Sequence, residues 1–444
     1  MIDEAICRNF NLLNSLKHML CTRLVVGLSI AVLPICWDGH ANAADPGGAK
    51  GWVTTWASTA APRWRDEIPL PFGTPEVLAN QTVRQVARIS VGGSKVRVVI
   101  SNEYGAKPLT IGAGSAALVG KQGEVDKNSL KPLTWGNRTW VVVPPGAPIL
   151  SDPVDLPVNP LASISVSLYF PKNTALTSVH WDAVQTAYIS GPGDFTGSPD
   201  FKAESTLTRR LFLSGIQVDA KPTSRAIVFF GDSITDGNCS TVDANNRWPD
   251  HIAERLQGGG HQNVAVVNEA YSGNRVLTNG MGINALARLD TDVLSQPRLS
   301  TVVFMMGIND IGWPGERAIT PDDKEPTAED IVTGYRQIID RTHEQGARIL
   351  GATLTPFIDT FQGTAIEGYY TPEKDKIRHA VNQWIRTSGA FDGVIDFDKV
   401  VEDPARPGHI RANYDCGDHL HPSDAGYKAM AEAVDLDQLL KPSE

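Results

Sequence analysis

Cysteine is scarce: five in 444 residues, and Cys7, Cys21 and Cys36 all fall near the N-terminus. Cys239 and Cys416 remain, an even pair that is a disulfide candidate in an oxidising compartment. No close-spaced Cys/His cluster accompanies them to support a zinc-type site. Positive charge is also short. Forty Lys and Arg face fifty Asp and Glu, a formal charge of −10, which argues against nucleic acid because phosphate binding needs a basic face. Beyond the N-terminal region no apolar run is long enough to span a bilayer. There is no internal repeat and no low-complexity tract. What the chain does have is 41% hydrophobic and 20% charged residues, enough to bury a sizeable core. At this length two domains are expected.

The N-terminus has the features of an export signal over residues 1–43. Lys17 and Arg23 precede the apolar run Leu24 to Cys36, and Ala41-Asn42-Ala43 supplies the small-x-small cleavage pattern. That run is too short for a membrane span. Met19 is the expected start, given the long stretch before Lys17. A lipoprotein signal at Leu33-Pro34-Ile35-Cys36 is the rival reading, and the bulk of Ile35 disfavours it. The expectation is a soluble protein, secreted or periplasmic.

The mature chain has two grammars. Residues 51–220 read as β-structure. Val83, Gln85, Ala87, Ile89 and Val91 alternate with Arg84 and Arg88, and Val96, Val98 and Ile100 resume the alternation after Gly92-Gly93. Two such runs around Gly-Gly predict a β-hairpin. Ile164, Val166, Leu168 and Phe170 alternate with serines as another strand. The prediction is a β-sandwich or jelly roll. From about residue 223 apolar runs alternate with helical patterns: Ala226 to Phe230, Val264 to Asn268, Thr301 to Met306, Ile349 to Leu354 and Val394 to Phe397. Ile331, Tyr335, Ile338 and Ile339 share one helical face after Thr327 and Asp330, and Ile377, Val381, Trp384 and Ile385 share another. This predicts an α/β domain with a doubly wound parallel sheet over residues 223–444.

In such a sheet reactive groups gather at the carboxyl ends of strands. Gly231-Asp232-Ser233-Ile234-Thr235-Asp236-Gly237 follows the first run, Tyr271-Ser272-Gly273-Asn274-Arg275 the second, and Gly307-Ile308-Asn309-Asp310 the third. Asp418-His419-Leu420-His421-Pro422 precedes a C-terminal helical stretch, Asp424 to Val434. Singly these have plain readings: Ser233 as a turn or cap, Asn309 as a loop former, Asp418 and His421 as a local hydrogen bond. The His-x-His pair is also compatible with a metal, without a supporting cluster. Their ordered combination is far more specific.

These blocks resemble the SGNH (GDSL-type) hydrolase family over roughly Arg225 to the end. Ser233, Gly273, Asn309 and His421 with Asp418 stand at the matching positions, and Ile234 replaces the leucine of the name-giving motif. The layout, with a β-rich part ahead of the hydrolase, is similar to that of xylan-associated esterases. The resemblance implies a Ser233–His421–Asp418 triad and an oxyanion hole made by the N–H groups of Ser233 and Gly273 and the amide of Asn309.

The chemistry follows. Serine is a poor nucleophile until a base takes its proton; His421 suits that task and Asp418 would orient it. A glycine at 273 is expected so that substrate can approach a bare backbone. Asp415 is a rival to Asp418, His419 a bystander, and Asp236 and Asp310 are expected to hold loops together. A Cys239–Cys416 bridge would tie the serine loop to the histidine loop. The expected activity is a metal-independent, cofactor-free hydrolysis of small acyl esters, acetyl groups on polysaccharide among them. Rivals are an acyltransferase to sugar hydroxyls, a carbohydrate-binding protein with a silent hydrolase domain, and a metal-dependent phosphoesterase using Asp232, His419 and His421. Trp52, Trp56, Trp64, Trp135, Trp140 and Trp181 could stack on sugars or pack a core.

Overall fold

The computed structural model describes residues 51–63, 74–119, 125–200, 202–316, 320 and 322–442. The features read as an export signal, with Cys7, Cys21, Cys36 and Trp64, lie outside the described residues. Gly48–Glu444 forms one compact unit.

The β-rich half contains two large antiparallel sheets. One orders Gly51–Ala57, Leu213–Ala220, Gly93–Ser101 and Pro148–Leu150, with Val154–Val158 also paired to Gly93–Ser101. The other orders Ala203–Leu207, Ala187–Pro192, Gln81–Arg88, Ser163–Phe170, Ala113–Leu118 and Lys131–Pro132. Ser163–Phe170 is covered on both faces of the expected alternation: Ile164, Val166, Leu168 and Phe170 are buried, and so are Ser165 and Ser167.

The hairpin expected around Gly92-Gly93 does not form. Gln81–Arg88 and Gly93–Ser101 belong to different sheets and do not pair. The chain crosses from one sheet to the other, and the crossing is pinned by Thr55, whose hydroxyl donates to the Val91 carbonyl and accepts from the Val91 N–H, both at 2.8 Å. A Cβ on Gly92 would stand 2.3 Å from the Val158 carbonyl oxygen, and one on Gly93 2.6 Å from an Asp219 carboxylate oxygen. Close backbone approach, not a two-residue turn, requires these glycines.

The second half is a parallel sheet in the order Val264–Asn268, Arg225–Gly231, Leu299–Met305, Arg348–Ala352, Gly393–Ile395. Each of the five expected apolar runs contains a strand, although the fourth is strand only to Ala352 and the fifth only to Ile395, with Phe397 opening a helix. The strands are apolar throughout because helices cover the sheet. Ala328–Glu344 starts at a capping box between Thr327 and Asp330 and buries Ile331, Tyr335, Ile338 and Ile339. Pro372–Thr387 and Asp424–Ala433 start at Thr371 and Ser423 caps. The strand order places the switch point between the first and third strands, where ligands bind in such sheets.

The β-rich half covers one open edge of that sheet. Val264–Asn268 is the edge strand, and its Val266 N–H donates to Ser90 Oγ at 3.0 Å. An exposed edge is a template for unwanted pairing, and this contact closes it. One hydrophobic cluster runs through both halves. Trp135 and Trp181 are buried in it and Trp56 packs against it, so packing accounts for these three. Arg97 lies 4.3 Å over the Trp52 ring, whereas Trp140 is 48% exposed. Among the described residues no helix is long and apolar enough to cross a membrane.

Candidate active site

Ser233 is the first residue of a single-turn helix, Ser233–Asp236, immediately beyond the strand Arg225–Gly231. Asp232 caps it by accepting the Ile234 N–H at 3.1 Å, and Gly237 ends it with φ 97°. Only glycine takes that backbone without strain, and a Cβ there would meet Arg247 at 2.2 Å. The serine is thereby held at a sharp strand-to-helix turn, at the switch point.

His421 arrives from the loop before helix Asp424–Ala433. The Ser233 hydroxyl donates to its Nε2 at 2.7 Å, and its Nδ1–H donates to Asp418 Oδ2 at 2.6 Å. The carboxylate fixes the tautomer, leaving Nε2 as the acceptor. The other Asp418 oxygen accepts the N–H groups of Leu420 at 2.9 Å and His421 at 2.8 Å. Burial pushes the Asp418 carboxyl upward, but the His421 side chain and these N–H groups outweigh it and bring it down to about 2. Asp415 does not compete: it pairs with His419 at 2.5 Å.

Three loops converge through two buried carboxylates. Asp236 accepts the Ser272 N–H at 3.1 Å, joining the serine turn to the Gly273 loop. Asp310 accepts the N–H groups of Val276 at 2.7 Å and Leu277 at 3.0 Å, joining that loop to the helix Ile308–Gly312 that carries Asn309. Asn309 Nδ2 donates to the Asn274 carbonyl at 3.1 Å, which leaves its second amide hydrogen for another acceptor. Among the described residues the N–H groups of Ser233 and Gly273 meet no internal acceptor.

Packing places its own demand on Gly273, apart from the approach of substrate expected above. Gly273 adopts φ +75°, and a Cβ would stand 2.1 Å from Met281 Sδ. Backbone conformation and Met281 packing demand glycine here.

Burial, opposed by the Ile234 N–H, raises Asp232 to about 7, and burial, opposed by two backbone hydrogen bonds, raises Asp310 to about 6. Cys239 and Cys416 are disulfide-bonded, with Cα atoms 6.2 Å apart, and bridge the serine and histidine loops. The Cys239 sulfur stands 4.0 Å from Asp418 Oδ2. Among the described residues, the groups that bring three potential metal ligands together are Cys239/Asp418/His421 and Asp415/Cys416/Asp418. In each the sulfur is committed to the disulfide. The trio Asp232, His419 and His421 is not such a group, since Asp232 caps its own helix and His419 turns to Asp415.

Two residues at the site were absent from the sequence reading. Tyr369, fully buried, donates its hydroxyl to Asn309 Oδ1 at 2.9 Å and so sets which way the amide points. His180, from the β-rich half, reaches Asp236. Neither lies near a motif in sequence, and no local signal marks them.

A parallel sheet with a hydrogen-bonded serine, histidine and aspartate at its switch point is the architecture of a hydrolase. Residues 229–429 match the model of the GDSL-like lipase/acylhydrolase family, and the chain carries a carboxylic-ester hydrolase domain of that family. Similar solved structures include an acetyl xylan esterase (18% identity, 49% of this chain and 100% of that one, TM-score 0.36). An acetylxylan esterase from Geobacillus stearothermophilus is 23% identical over 49% of this chain and 94% of its own, with TM-score 0.35. A carbohydrate acetylesterase from Sinorhizobium meliloti is 18% identical over 47% of this chain and 96% of its own, with TM-score 0.36. No curated protein matches the chain.

Proposed function

We propose that the protein is an exported serine esterase that cleaves small acyl esters, acetyl groups on polysaccharide first among them, through an acyl-enzyme. The observation that carries this reading is the continuous line Ser233 Oγ, His421 Nε2, His421 Nδ1, Asp418 Oδ2, with bonds of 2.7 and 2.6 Å. As Ser233 Oγ attacks the ester carbonyl, its proton passes to His421 Nε2, and Asp418 stabilises the imidazolium. The oxyanion is met by the N–H groups of Ser233 and Gly273 and the free amide hydrogen of Asn309. Collapse breaks the bond to the alkoxide, which takes the proton from His421 and leaves as the alcohol. Water, deprotonated by His421, then attacks the acyl-enzyme; the carboxylic acid departs and Ser233 recovers its proton.

Acetylated carbohydrate is put first because a β-rich part ahead of the hydrolase resembles the layout of xylan-associated esterases. Export is supported by the signal pattern over 1–43 and by the disulfide, which persists in oxidising compartments. We divide the mature chain into a β-sandwich part over 51–220, which the two large sheets fit, and the hydrolase over 223–444.

The test is hydrolysis of p-nitrophenyl acetate by wild type and Ser233→Ala, each with and without a chelator. Activity that survives chelation and collapses in the variant is expected. Equal rates in the two proteins would remove Ser233 from the mechanism.

A further inference from the structure

Between the β-rich half and the hydrolase half lies a cavity that neither Ser233 nor His421 lines. Its walls include Trp56, Arg88, His180 and Arg210 from the first half and Asp236 and Arg247 from the second. His180 and Arg210 are directly opposed across two antiparallel strands, so their side chains leave on the same face.

Nearly every charge in these walls has a partner. His180 meets Asp236 at 2.9 Å, and Asp236 also accepts the Ser272 N–H at 3.1 Å. Arg247 pairs with Asp250, which also lines the cavity, at 3.3 Å and donates to the Asp236 carbonyl at 2.7 Å. Arg88 pairs with Glu254 at 2.9 Å. Arg210 is the exception. It is 3% exposed, its Nη1 has no hydrogen-bond partner, and among the described residues no carboxylate reaches it at ion-pair distance, although Asp243 acts on its charge from further away. The Trp56 ring, 5.1 Å from its Cζ, offsets only part of the cost of burying a charge. Burial, with Arg247 nearby and Asp243 opposing, lowers Arg210 to about 9, which still leaves it charged at neutral pH.

We propose that this cavity binds a small oxyanion, a phosphate or a short carboxylate, on the guanidinium of Arg210 at the junction of the two halves. A guanidinium presents paired donors that match two oxygens of such an ion, and it supplies the charge that water cannot balance. The room suits a small ion. About 50 Å³ is open to the centres of water-sized spheres, where one water needs roughly 10–15 Å³ by that measure. The bound ion sits beside His180, Asp236 and Arg247, so occupancy fastens the β-rich half to the serine turn.

The experiment is thermal unfolding of the full chain at constant ionic strength, with phosphate, acetate or chloride titrated separately. A saturable rise of about 2 °C with phosphate or acetate is expected, and it vanishes in Arg210→Gln. The anion that saturates identifies the source, phosphate or carboxylate. Equal rises in both proteins, or no saturation with either oxyanion, overturn the proposal. Because Arg210→Gln could fail to fold, wild-type crystals soaked in selenate give a second reading. An anomalous peak within hydrogen-bond distance of Arg210 Nη1 is expected, and water alone at that place overturns the site. Neither readout measures ester hydrolysis, so the two proposals fail separately.

Discussion

His180, a residue of the β-rich half, is hydrogen-bonded through Nε2 to Asp236 Oδ1 at 2.9 Å and through Nδ1 to the Thr59 carbonyl at 3.0 Å. Both side chains are buried. Asp236 ends the helical turn that begins at Ser233, and its other oxygen holds the Ser272 N–H beside Gly273. The β-rich half therefore sets the spacing between Ser233 and the Gly273 loop, which we propose supplies an oxyanion donor. His180→Phe is expected to lower kcat about tenfold with KM within about twofold, since small misplacements of reacting groups are costly. Steady-state kinetics normalised by titration with a serine-reactive phosphonate check this. A purely structural role would lower the titratable fraction and leave kcat per titrated site unchanged.

The Tyr369–Asn309 bond of 2.9 Å orients the amide whose free hydrogen we propose as an oxyanion donor. Loss of that donor in Asn309→Ala is expected to cost about 10²–10³ in kcat with the fold intact. Tyr369→Phe keeps the donor but frees the amide to turn, and a smaller loss, about tenfold, is expected. Circular dichroism of the folded variants beside p-nitrophenyl acetate kinetics separates the two effects. If Asn309→Ala retains wild-type kcat, its place in the oxyanion hole is lost.

How far the sequence showed all this depends on the range of each interaction. The five parallel strands were legible because a sheet covered on both faces needs uninterrupted apolar runs, as at Ala226 to Phe230. Ser233, Gly273, Asn309, Asp418 and His421 were legible because each sits in a short block at a strand end or helix start. The destination of Gly92-Gly93 was not. A two-residue turn and a crossing between sheets ask for the same glycines, and only the pairing of Gly93–Ser101 with Leu213–Ala220 decides between them. The Met281 side chain that also demands a bare backbone at Gly273 lies outside its block, so that demand leaves no local mark. Tyr369 and His180 act on Asn309 and Asp236 from 60 and 56 positions away, beyond any local pattern.

Buried acids give stability a definite slope with pH. Asp232 and Asp310 have folded values raised by burial to about 7 and about 6, above the ordinary value of roughly 3.9. Between those limits the folded state binds more protons than the unfolded state, so stability falls as pH rises from about 4 to about 7. Asp418, lowered to about 2, acts oppositely: its contribution is present above about 4 and is lost as pH falls towards 2. Asp232→Asn should therefore flatten the slope above pH 4 while leaving the loss below it. Urea unfolding across about pH 3 to about 8 checks this. Superimposable profiles for variant and wild type would contradict the raised Asp232.

The Cys239–Cys416 disulfide closes a long stretch of chain, 177 positions apart, and joins the two loops that supply Ser233 and His421. Two consequences should separate on removing it as Cys239→Ser with Cys416→Ser. Cross-linking distant residues restricts the unfolded chain, so stability should drop by about 2–5 kcal/mol, read from denaturant unfolding. The second effect is local. Asp418 lies between the bridge and His421, and its backbone carbonyl accepts the Phe361 N–H at 3.0 Å, so the histidine loop keeps an anchor without the disulfide. That anchor holds Asp418 but not the distance from His421 to Ser233, which the bridge spans. The variant should therefore fold at moderate temperature and show a kcat reduced about tenfold, with KM nearly unchanged. Full kcat in a destabilised variant would confine the bridge to stability, and unchanged stability would show that the loops are held by their hydrogen bonds alone.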